Sequence, residues 1–383
     1  MQPEKQSNSL SRQILQSVSS SSLIPFLAIL TAVIVGGIII KIVGGDPILA
    51  YKGLIEGSFG SPKIGLAKSL KAMSETAVWA TPYIFAGLAV ALAFKGGLFN
   101  IGAEGQLALG AVFSALVGYA LPEWLGFDIP IYIHLPLTIL AGVLMGAFWA
   151  GIVGALKAYT GGHEVINTIM MNYIALNTAS FLLNGVMKDR SPMNVSARTP
   201  LIAESARLPP LFEGFRVHWG FILAILVAFL VWWLLNKTTL GFEIRTVGSN
   251  PDAAKYAGIN VKRTIVLTMA LSGMLAGLAG AIEVTGLNYR HELGFSIGYG
   301  YDAIAIALLG KSHPLGVILA SILFAAMRNG ATRMQFLTQL PSDLISILQA
   351  LILLFVAADA IVRFIFRIKA KGDRVVLTRG WGG

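Results

Sequence analysis

Ten stretches of this chain are dominated by apolar residues and are separated by polar or glycine-rich segments. A helix needs about 20 apolar residues to cross the hydrocarbon core of a bilayer, and most of these stretches approach that length. The pattern therefore predicts about ten transmembrane helices, and the two that flank Lys311 form either a broken helix or a tight hairpin. The stretches are residues 23–40, 77–94, 101–121, 131–156, 165–187, 219–235, 264–282, 296–309, 315–327 and 344–366.

The composition agrees with this pattern. Charged residues make up 13% of the 383 residues and hydrophobic residues 55%, whereas soluble domains carry about 25% charged residues. A single soluble core cannot bury that much apolar surface. We therefore expect an all-α polytopic membrane protein with a polar N-terminal segment at 1–22, a transmembrane domain at 23–366 and a basic tail at 367–383.

The distribution of basic residues predicts the orientation. Short cytoplasmic loops are enriched in Lys and Arg, and Lys95, Lys157 and Lys311 lie in short loops that would share one side with both termini. We expect a multi-pass protein of the cell membrane with both termini cytoplasmic. The net charge of +10 then reflects basic inner loops, so no nucleic-acid partner is expected. Two long outer loops are predicted, at 46–76 and 188–218.

Small residues recur at a spacing of four in two of the predicted spans. Lipid provides no hydrophobic drive for helices to associate, so small residues are needed where two backbones approach closely. The pattern predicts that these spans pack within the bundle, with a subunit interface as the alternative. The motifs pair Gly142 with Gly146, Ala147 with Gly151, Gly273 with Gly277, and Ala276 with Gly280.

Motifs for catalysis are absent from the sequence. The chain has no cysteine, and its five histidines show no recurring metal-ligand spacing. Gly310-Lys311-Ser312 resembles the end of a phosphate-binding loop, but Ala305 stands where that motif requires glycine. We therefore expect no catalytic residues, no metal site and no cofactor.

A glycine-rich segment lies between the second and third predicted spans. Glycine weakens helices and permits broken backbone, and such backbone at membrane depth survives only inside protein or along a wet cavity. Asn100, Glu104 and Gln106 lie in this segment, so we expect them to line a substrate pathway. The alternative is a cytoplasmic turn in which Glu104 caps the next helix. The glycines are Gly96, Gly97, Gly102 and Gly105.

The fifth predicted span carries four asparagines. At 100° per residue, Asn177 and Asn184 share a helix face with Tyr173, whereas Asn172 lies about 140° away. This face suits a substrate with hydroxyls or ring nitrogens, so Tyr173, Asn177 and Asn184 are candidate pathway residues. Hydrogen bonding between helices is the alternative role.

The loop at 236–263 is the most polar internal segment on the predicted cytoplasmic side. Pro251 follows Asn250 and predicts a helix start, and Gly258 predicts its end. A short surface helix between two spans has little to bury in its own chain. We therefore expect it to dock on a cytoplasmic partner, with a solvated turn as the alternative.

Two motifs carry a family resemblance. Residues 241–261, GFEIRTVGSNPDAAKYAGINV, resemble the coupling loop of ABC importer permeases of the ribose and branched-chain amino-acid type. Residues 97–106, GLFNIGAEGQ, resemble the motif of the nucleoside and simple-sugar branch. The resemblance runs from about residue 77 to residue 355. It implies a permease that pairs in the bilayer with a second permease, a different chain, and with ABC ATPase subunits and an extracellular lipoprotein or periplasmic receptor.

The resemblance also implies roles for the loop residues. The coupling helix maps onto 250–258 and would sit in a groove of the ATPase, which alone hydrolyses ATP. The Glu-Ala-Ala of many ABC importers corresponds here to Asp252-Ala253-Ala254. The residues assigned to ATPase coupling are Gly241, Glu243, Arg245, Gly248, Asn250, Asp252, Ala253, Ala254, Lys255 and Gly258.

Nucleosides are the expected substrate, and ribose or another simple sugar is the alternative. Two other classes of protein were weighed. An ion-coupled secondary transporter needs carboxylates within its spans, and the candidates all lie near predicted span ends. A membrane enzyme acting on lipid-linked sugars needs acidic clusters on cytoplasmic loops, and the sequence has none. The candidate carboxylates are Glu104, Glu283, Asp302 and Asp359.

Overall fold

The computed structural model describes residues 25–61, 65–191, 196–296, 298–341, 343–358 and 366. The described residues form helices joined by turns, and among them are isolated β-bridges but no β-strand. The predicted terminal segments 1–22 and 367–383 lie outside the described residues. The helices are α1 (Pro25–Ile42), α2 (Pro47–Phe59), α3 (Leu66–Lys95), α4 (Ala103–Leu125), α5 (Ile131–Ala155), α6 (Glu164–Asn184), α7 (Gly220–Lys237), α8 (Thr239–Ser249), α9 (Pro251–Tyr256), α10 (Val261–Glu283), α11 (Tyr299–Leu309), α12 (Pro314–Thr338) and α13 (Leu344–Ala357).

Seven of the described helices are long and apolar enough to cross a membrane: α1, α3, α4, α5, α7, α10 and α12. Two of them continue into a π-helical turn, α5 through Leu156–Thr160 and α10 through Val284–Asn288. Helix α6 has 21 residues, but its asparagines make it less apolar, and α11 and α13 are shorter, at 11 and 14 residues. Each predicted stretch overlaps one helix. The all-helical class is therefore confirmed, whereas the count of about ten spans stays a prediction.

The predicted long loop at 46–76 was wrong, because most of it is helical. Asp46 Oδ1 accepts hydrogen bonds from the backbone N–H groups of Ile48 (2.9 Å) and Leu49 (3.3 Å), and Pro47 occupies the first position of α2. This is a regular N-terminal cap followed by proline, which favours helix initiation. The sequence Asp46-Pro47 therefore indicates a helix start, although the lysines of the segment favoured its interpretation as a loop.

The described residues fall into two compact units. The smaller unit comprises the described residues up to Gly57 together with those from Gly330 onward, and it holds α1, α2 and α13. Within it, the Tyr51 hydroxyl donates to the Val33 carbonyl at 2.6 Å, and Arg333 lies 3.6 Å from the Glu56 carboxylate. The larger unit comprises residues 58–329 and holds α3 to α11.

Glycines bring α4, α5 and α10 into backbone contact at the centre of the larger unit. A Cβ atom added to Gly146 would lie 2.7 Å from Gly277 Cα, and one added to Gly142 would lie 2.7 Å from the Gly110 carbonyl oxygen. A Cβ added to Gly273 would meet the Gly146 carbonyl. Real Cβ atoms do not approach other atoms below 3.0 Å, so only glycine fits here.

The prediction that these small residues pack within the bundle is therefore confirmed for two of the four motifs. A third motif also makes close contact, in this case with α4. Gly142 and Gly146 pack against Gly273 and Gly277, and a Cβ at Gly280 would meet the Leu107 carbonyl of α4. The remaining motif was wrong at one end. Gly151 faces open space, with no heavy atom within 4 Å of its added Cβ.

The predicted loop at 188–218 has an ordered part that pairs with the segment after α10. The Thr199 N–H donates to the His291 carbonyl and the Ile202 N–H to the Tyr289 carbonyl, both at 2.9 Å. Burial lowers the pKa of the His291 imidazole to about 3. Burial, with a contribution from the nearby Arg216 charge, lowers the pKa of His218 to about 4. Both imidazoles are therefore neutral at physiological pH.

Replacing Gly146 by alanine is expected to destabilise the bundle. The added methyl would collide with the backbone of α10, and overpacking of this kind costs about 1–3 kcal/mol. Alanine favours helix over glycine, so any loss must come from the collision. The measurement is the thermal unfolding midpoint of the purified protein in detergent.

Gly151→Ala is the matched control, because it makes the same change in the same helix where the added methyl meets nothing. Its midpoint should equal or exceed that of the unmodified protein. Equal midpoints for the two variants would show that α5 and α10 do not touch as described.

Candidate functional site

The glycine-rich segment is a break between α3 and α4. Helix α3 ends at Lys95, α4 begins at Ala103, and the residues between them make turns and extended backbone. Gly97 has φ +69°, a left-handed conformation that favours glycine. Leu98 and Asn100 are buried. The break therefore buries Leu98 and Asn100 and leaves Gly97 exposed, and the role of the segment stays a prediction.

Asn100 is the centre of a buried hydrogen-bond network. Its side-chain Nδ2 donates to Gln106 Oε1 at 2.9 Å and to Ser272 Oγ at 2.8 Å, and Gln106 Nε2 donates back to Asn100 Oδ1 at 3.0 Å. The Ser272 hydroxyl donates to the Ala89 carbonyl of α3 at 2.7 Å. The network therefore ties the break to α3, α4 and α10 through side chains with little freedom to rearrange.

Glu104 lies where two helices begin. It is in the first turn of α4, it is 4% exposed, and its Oε2 accepts the Gly300 N–H of α11 at 2.7 Å. A Cβ added to Gly300 would lie 2.7 Å from the Ala103 carbonyl carbon, so the two N-termini are in direct contact. A carboxylate is favoured at a helix N-terminus, and here it faces two.

The asparagines of α6, which is the fifth predicted span, lie in two different environments. Asn172, which the sequence places away from the candidate face, contacts the glycine-rich break: its Oδ1 accepts the Gly105 N–H and its Nδ2 donates to the Ile101 carbonyl, both at 2.9 Å. Asn177 and Asn184 are exposed and donate to carbonyls of their own helix. The two predicted groups of pathway residues thus lie in different environments.

Tyr173 and Asn177 lie together in a groove on the exposed face of α6. Tyr173 is 62% exposed and Phe181 is 71% exposed. The groove has a volume of about 440 Å³ and is lined by aromatic, aliphatic and amide side chains. Asn184 is the last residue of α6. The lining residues are Tyr173, Ile174, Asn177, Thr178 and Phe181.

The polar loop at 236–263 holds two helices, of which only the second was predicted. In α8, a Cβ at Gly241 would lie 2.7 Å from Leu235 Cα, so α8 packs against the end of α7. Arg245 Nη1 donates to the Leu235 carbonyl, and Glu243 Oε2 accepts from the Thr264 hydroxyl at 3.4 Å. These two charged residues therefore contact their own chain.

Helix α9 is short and largely exposed. Asn250 Oδ1 accepts the N–H groups of Asp252 and Ala253 at 3.0 Å, and Pro251 follows the cap. Gly258 has φ +82° just after the helix. The predicted start and end of this helix are therefore confirmed. Asp252, Ala253 and Lys255 are exposed, whereas Ala254 is buried.

Comparison with known proteins identifies the family. Residues 72–357 match the family described as branched-chain amino acid transport system, permease component. This chain belongs to that family. With its apolar helices, this makes it a multi-pass membrane protein and a transport component.

Similar permeases have been named in bacteria and archaea. The guanosine ABC transporter permease protein NupP of Bacillus subtilis is 40% identical over 357 residues, which cover 92% of this chain and 98% of NupP. The nucleoside ABC transporter permease protein NupB of Lactococcus lactis is 35% identical over 89% of this chain and 92% of NupB. The glucose ABC transporter permease protein TsgB13 of Haloferax volcanii is 36% identical over 86% of each chain. No solved structure matches.

Two further carboxylates at helix ends accept hydrogen bonds, that of buried Glu283 and that of half-buried Asp302. Tyr83 donates its hydroxyl to Asp302 Oδ2 at 2.8 Å, and Asn288 Nδ2 donates to Glu283 Oε1 at 3.4 Å. Glu283 is the last residue of α10, and Asp302 lies in the first turn of α11. Asp359 lies outside the described residues. Within the described ranges, no three acidic or histidine side chains group as metal ligands do.

Sequence reasoning missed one residue of the Asn100 network and one exposed aromatic residue of α9. Ser272 completes the Asn100 network, and its only signal was a polar residue within an apolar span. Tyr256 is 94% exposed on α9. An aromatic side chain on a surface helix of six residues is the kind of anchor that protein interfaces use.

Proposed function

We propose that this permease is the transmembrane subunit of an ATP-driven ABC importer for nucleosides. The observation that carries the proposal is the 40% identity to a guanosine ABC transporter permease over 92% of the chain. The 35% identity to a nucleoside ABC transporter permease supports it. The 97–106 segment, which resembles the nucleoside and simple-sugar branch, adds a local sequence feature.

A simple sugar is the second candidate substrate. The 36% identity to a glucose ABC transporter permease favours it. Ribose or another simple sugar shares hydroxyl groups with nucleosides, so the same amide and phenol groups would serve both. The base distinguishes the two, because only a nucleoside offers an aromatic ring for stacking.

The proposed topology has about ten spans, within a domain at 23–366 and with both termini cytoplasmic. The loop at 236–263 then faces the ATPase. The shorter helices α11 and α13, together with α6, would complete the crossings that the seven long apolar helices begin. Because α11 has only 11 residues, it covers about 16 Å and needs another segment to complete its crossing.

The α6 groove is proposed as one wall of the substrate pathway. A phenol, a phenyl ring and an amide lie together there, at Tyr173, Phe181 and Asn177. Aromatic rings stack on nucleobases, and an amide both donates and accepts hydrogen bonds, as base edges and ribose hydroxyls require. A groove open on one side needs an opposite wall, and we assign that wall to the second permease, a different chain.

In the proposed cycle the chain does no covalent chemistry. A receptor on the outer side delivers the nucleoside, and ATPase subunits on the inner side bind α9. Closure of the ATPases on ATP moves α9, and the bundle rocks to open the path past α6 and the glycine-rich break. Energy from another subunit fits a chain in which the carboxylates of Glu104, Glu283 and Asp302 already accept hydrogen bonds.

The substrate proposal predicts uptake of labelled guanosine by proteoliposomes that contain the complete importer and its receptor. Excess unlabelled adenosine or uridine should reduce that uptake, whereas excess ribose or glucose should not, because a sugar lacks the base. The measurement is the initial rate of ATP-dependent accumulation. Uptake of ribose without uptake of any nucleoside would show that a simple sugar is the substrate.

The pathway proposal predicts that Tyr173→Ala lowers nucleoside uptake by about tenfold. One stacking contact with a base contributes about 1–3 kcal/mol. Phe229→Ala is the matched control, because Phe229 is an exposed aromatic residue of α7 that does not line the groove. Equal uptake by the two variants at equal amounts of assembled complex would show that α6 does not line the substrate pathway.

The coupling proposal predicts that Tyr256→Ala and the charge reversal Asp252→Lys each reduce receptor-stimulated ATPase activity while membrane insertion stays intact. Truncation of an interface anchor costs about 2 kcal/mol or more. Gly258→Pro should act in the same direction, because proline cannot adopt the positive φ found after α9. The measurement is phosphate release by the reconstituted complex.

Tyr132→Ala is the control for Tyr256. Tyr132 is also exposed and lies in the first turn of α5, outside the loop at 236–263. Its loss should leave stimulated ATPase activity unchanged. Full stimulation in the Tyr256 and Asp252 variants would show that α9 does not dock on the ATPase.

A further inference from the structure

The end of α8 touches the glycine-rich break through backbone atoms alone. A Cβ added to Gly248 would lie 2.7 Å from both the Gly96 carbonyl carbon and the Gly97 nitrogen, and it would also meet the Lys95 carbonyl. In the reverse direction, a Cβ added to Gly97 would lie 2.9 Å from Gly248 Cα. The contact is therefore reciprocal, and the three glycines in it, Gly96, Gly97 and Gly248, have no side chain that could yield.

On one side of this contact lies the exposed helix α9. Gly248 is two residues before Asn250, and Asn250 caps α9 while its backbone N–H bonds to the Thr246 carbonyl of α8. Val247 and Ile244 of α8 are buried. A displacement of α9 therefore moves the last turn of α8, since one capping residue joins the two helices.

On the other side lies the buried interior of the larger unit. Leu98 follows Gly97 and packs in a cluster with Ala93, Val153 and Met269. Asn100 comes two residues later and holds Gln106 and Ser272 through hydrogen bonds. The same short segment then leads into α4, where the Glu104 carboxylate binds the N-terminus of α11. Direct contacts thus run without a gap from α9 to α11.

We propose that the contact between Gly97 and Gly248 is the relay that carries motion of α9 into the substrate pathway. This inference rests on the proposed function, because it assumes that an ATPase moves α9. A backbone contact has no rotamers, so a displacement passes through it without being absorbed by side chains. Gly97 has a positive φ and can change conformation more freely than other residues, so the break can pivot there. Gly97 and Gly248 are positioning residues.

The test is Gly248→Ala in the complete importer with its receptor, reconstituted in proteoliposomes. The readout is the ratio of ATP hydrolysed to nucleoside accumulated. The added methyl pushes α8 away from the break, so ATP hydrolysis is uncoupled from transport and the ratio should rise by about tenfold. Gly151→Ala makes the same change in open space and should leave the ratio unchanged. A loss of folded complex lowers both quantities together and does not move the ratio.

An unchanged ratio for Gly248→Ala would overturn the relay. If that variant fails to assemble with its partners on gel filtration, Ser272→Ala decides instead. It removes the hydroxyl that joins Asn100 to the Ala89 carbonyl and adds no volume. Its ratio should rise severalfold, and a normal ratio would overturn the proposal. If the unmodified importer moves a sugar and no nucleoside, the substrate proposal fails, while the ratio measured with that sugar still decides the relay.

Discussion

The backbone contacts of α4, α5 and α10 are the constraint on which the larger unit depends. In a bilayer, helices gain nothing from hiding apolar surface from each other, so their association relies on close packing. Gly110, Gly142, Gly146 and Gly277 leave no room for side chains between the three helices. Because α10 is held in this way, Ser272 on the same helix lies within hydrogen-bond distance of Asn100, and the glycine-rich break acquires a fixed place.

Close backbone contacts also occur at the two ends of the glycine-rich break. At one end Gly97 meets Gly248, and at the other Gly300 meets the start of α4. Between them, the Asn172 amide satisfies two polar backbone groups of this region, the Ile101 carbonyl and the Gly105 N–H. The break is therefore irregular in its backbone and is held at both ends by close contacts.

Several of these features were predictable from single residues. Asn250 followed by Pro251 gives the start of α9, and glycines at a spacing of four indicate that α5 and α10 pack closely within the bundle, because both signals are local. Other features depend on the neighbours of a residue in three dimensions. Asn172 contacts the break although its helix face looked unrelated, and Gly151 has no partner although it fits a packing motif. Helix α2 was not predicted for a different reason. The lysines of its segment favoured a loop, although the capping residue Asp46 is visible in the sequence.

The exposed face of α6 bears on how such an importer is assembled. Asn177 Nδ2 donates to the Tyr173 carbonyl at 2.7 Å and Asn184 Nδ2 to the Ser180 carbonyl at 2.9 Å, so one N–H group of each amide is satisfied within its own helix. An unsatisfied donor facing lipid would cost several kcal/mol. These bonds within α6 therefore lower the cost of turning this face to acyl chains. In the proposed importer, this lower cost applies to the time before the face meets the second subunit.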